Sequence, residues 1–192
     1  MSKRLIYLIR HGETEWSLNG RHTGSTDIPL TENGRAVATR LASALDGIQF
    51  DLVLTSPLQR ARETCALAGL EAQAEVDADL VEWNYGQYEG LTPNQIRAGN
   101  PDWLVFRDGC PGGESSEHIG ARADWVISRV QLCKGNVALF SHGHFLRVFA
   151  ARWIGLPASG GCHFLLDTAT LCVLSEYHGN PAILHWNAPV AN

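Results

Sequence analysis

Two apolar runs, Arg4–Ile9 and Asn136–Phe140, each stop at a polar cluster that contains a His-Gly pair: Arg10, His11 and Gly12 after the first, Ser141, His142 and Gly143 after the second. Neither run alternates apolar with polar residues, nor does a third, Asp51–Thr55, so all three read as strands covered on both faces. Each leads into a helical pattern. Thr31 is placed to N-cap a helix running to Leu45, the second helix begins near Pro57 or Leu58 after a Ser56 cap, and the third follows His142. Upstream of the last strand, Glu114 to about Cys133 forms a further helix, with Ile119, Ala123, Val126, Ile127 and Val130 on one apolar face. Thr170–Tyr177 and Ala182–Trp186, joined through His178-Gly-Asn-Pro181, read as a hairpin. Strands alternating with helices predict an α/β fold: a three-layer α/β/α sandwich around a mostly parallel central sheet with right-handed crossovers.

Such sheets bind ligands beyond the carboxyl ends of their strands. The residues that reach that edge here are Arg10 and His11, Ser56 with Arg60 one turn further on, and Ser141 with His142. Two guanidiniums and two imidazoles suit a phosphoryl group, which needs donors for its anionic oxygens, a nucleophile in line with phosphorus and a proton for the departing oxygen. Arg10 and Arg60 supply the donors, His11 attacks as the neutral imidazole, and His142, when protonated, stabilises the charge that builds up in transfer. Gly12 and Gly143 allow close backbone approach. Glu82, in VEWNYGQYEG, is the candidate proton donor, since its aromatic surroundings favour the protonated carboxyl. Arg62 and Glu89 are the nearest rivals of Arg60 and Glu82. His22, His118, His144, His163, His178 and His185 read as structural or exposed, with His22 and His144 the two that reach substrate if any do; Tyr85 is a candidate for the pocket wall.

Composition narrows the alternatives. A chain of 192 residues suits one domain, 1–192, that buries about 70% of its unfolded surface. Formal net charge is −5 without any basic run, which argues against nucleic acid or anionic membrane as partner. No apolar stretch nears the roughly 20 residues of a bilayer span, and MSKRLIYLIR is too short and too charged for a signal peptide, so a cytoplasmic protein is expected. The 5 cysteines lack CxxC spacing and read as structural thiols. No cofactor is expected. A metal hydrolase built on His142 and His144 (HxH) or Asp77 and Asp79 (DxD) is disfavoured, because the arginines beside His11 repel a cation.

RHGETEW, TSPLQRARET, EWNYGQYEG and SHGH, in this order, resemble the histidine phosphatase superfamily, also called phosphoglycerate mutase-like, and the likeness extends from residue 5 to about residue 190. The resemblance implies that His11 is transiently phosphorylated, that Arg10, Arg60 and His142 complete the phosphate pocket, and that Glu82 acts as acid and then base. It also implies backbone contacts to substrate from Thr23 and Gly24, which keep the family's TG, while Ser17, Tyr85 and Gly143 complete the candidate substrate-binding set. The chain departs from the mutases of that family: Ser17 replaces an asparagine, and the lid from Asp79 to Gly113 lacks their long basic insertion, offering only Arg97 and Arg107 against Asp102 and Asp108. The expected activity is therefore a metal-independent phosphatase acting on small phosphorylated metabolites, with similarity to the sugar-bisphosphatase branch. A phosphoglycerate mutase is the first alternative, and a non-catalytic phosphate-binding regulator the second. A homodimer is the candidate assembly.

Overall fold

In the computed structural model, which describes residues 4–190, the strands β1 (Ile6–Arg10), β2 (Phe50–Thr55), β3 (Ala74–Val76), β4 (Asn136–Ser141), β5 (Leu171–Tyr177) and β6 (Asn180–Ala188) form a single sheet. Its order is β3-β2-β4-β1-β5-β6. The first four positions are parallel, Ile6 to Arg10 pairing in register with Val137 to Ser141, whereas β5 runs antiparallel to β1 and β6 antiparallel to β5. The carboxyl ends of β1, β2 and β4 thus lie side by side at one edge.

The helices are α1 (Glu15–Leu18), α2 (Glu32–Thr39), α3 (Leu41–Leu45), α4 (Gln59–Leu67), α5 (Pro93–Gly99), α6 (Val105–Asp108), α7 (Ser116–Leu132) and α8 (Gly143–Trp153). They cover both faces of the sheet. On one face Ala38, Leu41, Leu45 and Cys65 pack with Tyr7, Ile9, Val53 and Phe140; on the other Ile119, Ala123, Val126, Phe145 and Phe149 pack with Ile6, Leu8, Leu54 and Leu139. Successive residues of β1 and β4 therefore feed opposite cores, which is why neither strand alternates in polarity.

Local details differ from the sequence reading in two places. The first helix breaks at Arg40, which closes α2 with backbone bonds to Val37 and Ala38 and opens α3 without a side-chain cap, so one expected helix is two. Leu58, not Ser56, is the N-cap of α4, and the Ser56 hydroxyl is used by the catalytic cluster described below. The segment 79–113 contains α5 and α6; Thr92 and Gln95 form a capping box around Pro93 that starts α5. All five cysteines are unpaired thiols. Among the described residues no helix is long and apolar enough to cross a membrane.

Candidate active site

The parallel register of β1 and β4 sets Arg10 opposite Ser141, and the His11 N–H continues the ladder to the Ser141 carbonyl at 3.0 Å. His11 and His142 therefore face one another across the strand ends, with ring centroids 5.2 Å apart. The His11 Nδ1 lies 2.7 Å from the Gly12 carbonyl oxygen. A carbonyl accepts only, so Nδ1 carries the hydrogen and Nε2 keeps its lone pair, the tautomer a nucleophile needs. Burial, then the charges of Arg60 and Arg10, hold this imidazole well below the usual histidine range, outweighing the opposing effect of the Gly12 bond.

His142 is fixed from both sides. The Arg60 Nε donates to its Nδ1 at 3.2 Å, and its Nε2 therefore donates to the Ser56 hydroxyl at 2.8 Å. Burial and, after it, Arg60, His11 and Arg10 push it well below the ordinary range, which favours the neutral ring. Arg60 itself is fully buried and turned to the protein: besides His142 it donates to the carbonyls of Thr26 (3.0 Å), Thr23 (3.0 Å) and Gly24 (2.9 Å). Of the five N–H groups a guanidinium carries, one on Nη1 has no partner among the described residues. Arg10 is less committed. Its Nη1 donates to the Leu166 carbonyl, and its buried Nε has no partner.

Glu82 does not sit in a merely apolar setting. Its Oε1 accepts from the Trp83 and Phe145 N–H groups, each at 2.9 Å, and its Oε2 from the His144 N–H at 3.0 Å. Two of these are the first-turn donors of α8, which has His142 at its N-cap position without a side-chain bond, so Glu82 caps that helix from another segment. The hydrogen-bond donors to this buried carboxyl are backbone amides.

A cleft of about 220 Å³ opens at this edge, lined by Arg10, His11, Ser17, Gly20, Arg21, His22, Thr23, Glu82, Tyr85, Pro93, Gly143, His144, Arg147 and Leu166. Gly143 begins α8 there, where a Cβ would lie 3.2 Å from the Arg10 Nε, so a bare backbone makes room for the guanidinium. Gly12 serves a different approach from the one expected: a Cβ would stand 2.7 Å from the Gly34 carbonyl of α2. Gly24, Arg60 and His142 do not line this cleft; the last two lie wholly buried behind it. The Gly24 N–H is held by the Glu89 carboxylate at 2.9 and 3.0 Å, which gives Glu89 a structural task. Ser17 lines the cleft, but its hydroxyl donates to the Thr14 carbonyl and accepts from the Thr14 N–H in the capping box of α1. The Thr23 hydroxyl donates to the Arg21 carbonyl at 3.2 Å.

Tyr85 is buried, its hydroxyl 2.6 Å from the His144 Nδ1, and His22 stacks on its ring at 4.5 Å between centroids. Burial followed by Glu82 raises the Tyr85 phenol well above its usual value, and burial with Arg97 lowers His22 to about 4. His144 is lowered by burial and then by Arg147. The sequence reading missed Arg21 and Arg147. Arg147 lies four residues beyond Gly143 on α8, hence on the same helix face, and that spacing is the signal that would have found it. Arg97 and Arg107, by contrast, lie outside the cleft: Arg97 donates to the Trp103 carbonyl, and Arg107 pairs with Asp108. Asp77 is salt-bridged to Arg129, and among the described residues no group of three or more His, Cys, Asp or Glu side chains could hold a metal ion.

Facing histidines with Arg10 and the buried Arg60 at the carboxyl ends of parallel strands define a phosphoryl-handling α/β enzyme, and residues 6–189 match the model of the histidine phosphatase superfamily, branch 1. The chain belongs to that superfamily and is a phosphoric monoester hydrolase of the histidine phosphatase type. It is 43% identical over 178 residues to an acid phosphatase of Mycobacterium tuberculosis, covering 91% of this chain and 87% of the relative. It is 35% identical to sedoheptulose 1,7-bisphosphatase of Saccharomyces cerevisiae, covering 81% and 69%. The solved structure of an open-reading-frame product from Mycobacterium tuberculosis, 39% identical, superposes with a TM-score of 0.94 over 99% of this chain and 100% of that one.

Proposed function

We propose that residues 1–192 work as a single cytoplasmic domain that removes phosphate from small phosphorylated metabolites, sugar bisphosphates foremost, through a phosphohistidine on the Nε2 of His11. The observation that carries this reading is the His11 Nδ1 contact with the Gly12 carbonyl, which leaves a neutral Nε2 among buried cations. In the first step Nε2 bonds to phosphorus as the bond to the leaving oxygen breaks; Arg10 and the free Nη1 hydrogen of Arg60 hold the equatorial oxygens, and the His142 Nε2–H turns from Ser56 toward them. Glu82 passes a proton to the departing oxygen. That proton is one the monoester itself carries, its second pKa being about 6. In the second step Glu82 takes a proton from water, the water oxygen bonds to phosphorus, and the bond to Nε2 breaks to restore neutral His11.

Arg21 and Arg147 support a substrate with a second anionic group, and the name of the yeast relative supports a sugar bisphosphate. Hydrolysis rather than return of the phosphoryl group is supported by the lid arginines, neither of which lines the cleft, so that a dephosphorylated product is held loosely. The five unpaired thiols agree with the cytoplasm. For a homodimer the support is β6, an edge strand whose outer side pairs with no strand among the described residues and which exposes Leu184; light scattering on the purified protein measures it.

The test is a brief incubation with labelled sedoheptulose or fructose bisphosphate followed by alkali, which should leave label on His11 alone, together with a panel that scores free phosphate and isomerised product separately. Activity should survive chelators and be blocked by vanadate, a mimic of the five-coordinate transition state. Efficient formation of 2-phosphoglycerate from 3-phosphoglycerate with negligible phosphate release establishes a mutase instead.

A further inference from the structure

We infer that Arg122, held by Glu114, is a positioning residue for Glu82, an inference that rests on the reading of Glu82 as the group that handles the leaving-group proton. All five guanidinium hydrogens of Arg122 are spent on one short segment and its anchor. Nη1 donates to the carbonyls of Asp79 (2.7 Å) and Val81 (2.9 Å), and Nη2 to that of Glu82 itself (3.3 Å). Nε and Nη2 grip the two carboxylate oxygens of Glu114, each at 2.8 Å. Glu114 in turn binds the residues just past Glu82. Its Oε2 accepts from the Asn84 N–H, its carbonyl from the Trp83 indole, and its own N–H donates to the Asn84 carbonyl.

Residues 81–84 have no regular structure of their own, yet they carry a carboxyl that must stay in reach of one oxygen atom. Arg122 fastens them to α7, a 17-residue helix whose Ile119, Ala123, Val126 and Val130 are wholly buried. The guanidinium also lies over the Phe145 ring, 5.0 Å from its centroid, and the Phe145 N–H is one of the donors to Glu82 Oε1. Arg122 therefore fixes the Glu82 backbone and stacks on the residue that orients its carboxylate. A lysine keeps the charge but has no planar fork and cannot satisfy three carbonyls and a carboxylate at once.

The experiment compares kcat/KM, which reports the phosphorylation step, on a sugar phosphate and on 4-nitrophenyl phosphate, whose phenolate leaves without a proton. Arg122→Lys should lower the sugar phosphate value roughly 10- to 100-fold and the aryl phosphate value by no more than about threefold, as misplacement of a proton donor predicts. Inhibition by vanadate should be unchanged. Glu114→Gln, milder because one acceptor remains, should show the same selectivity if Arg122→Lys does not fold. In the Glu82→Gln/Arg122→Lys double variant the selective loss should equal that of Glu82→Gln alone. Equal losses on both substrates, or additive losses in the double variant while Glu82→Gln is selective, overturn the inference. A Glu82→Gln variant without selectivity brings down the reading of Glu82, and this inference with it.

Discussion

The buried imidazoles of His11, His22 and His142 and the part-exposed one of His144 are all displaced downward, with desolvation the largest cause in each. Their folded forms stay neutral while the unfolded chain takes up protons near the ordinary value of 6.5, so below that pH the unfolded state binds more protons and stability falls with acidification. Each such histidine removes up to about 1.4 kcal/mol per pH unit between 6.5 and its folded value. The melting temperature is therefore expected to drop steeply from pH 6.5 to pH 5, and a His22→Phe variant, whose wild-type value of about 4 defines its window, should flatten that slope in calorimetry. A profile that does not change in His22→Phe contradicts the assignment. The same displacement keeps the His11 nucleophile unprotonated in mild acid, so kcat/KM should not fall through pH 6 on its account. His11→Ala should abolish turnover while leaving the fold intact, which phosphate release and circular dichroism together measure.

At the level of elements, α2 is built to touch the catalytic loop. Gly34, in its first turn, lies so close to the Glu13 carbonyl that a Cβ would collide with it, and Thr31 and Asn33 donate to the Glu13 carboxylate at 2.6 and 3.1 Å. Gly34→Ala should force α2 away from the loop that carries His11, lowering both the melting temperature and kcat; retained activity at unchanged stability would show that the loop is held by β1 alone. The apolar face of α7 was legible from spacing, and Ile119→Ala there should cost about 2–5 kcal/mol in denaturant unfolding. Legibility ended where tertiary contact overrules local pattern. Nothing in the run from Thr31 to Leu45 announces the break at Arg40, and β3, three residues long, is a strand only because Val53, Leu54 and Thr55 pair with it. Arg10, His11, Glu82 and His142 were readable because each stands at a strand end or in a dense motif. The inward turn of Arg60 and the loss of the Gly24 N–H to Glu89 were not, since both depend on which carbonyl or carboxylate the fold brings near.

Over the whole molecule a net charge of −5 surrounds a cleft walled by Arg10, Arg21 and Arg147. Attraction of a phosphorylated substrate is therefore local, and between 0.01 and 0.3 M salt kcat/KM should decline as the Debye length contracts from about 30 Å to below 8 Å, with kcat nearly constant. A flat salt response would mean that the acidic exterior cancels the cleft. The direction of the last two strands has one more consequence. Because β6 runs back toward the catalytic edge, pairing Ala188 with Leu171, which itself lies opposite Ile9, the polypeptide leaves the sheet within reach of the mouth, whereas Arg4 stands before β1 at the far rim. For immobilised or fused forms of the enzyme, a carrier joined ahead of β1 hangs away from the entrance, while one joined behind β6 stands beside it and competes with substrate for access.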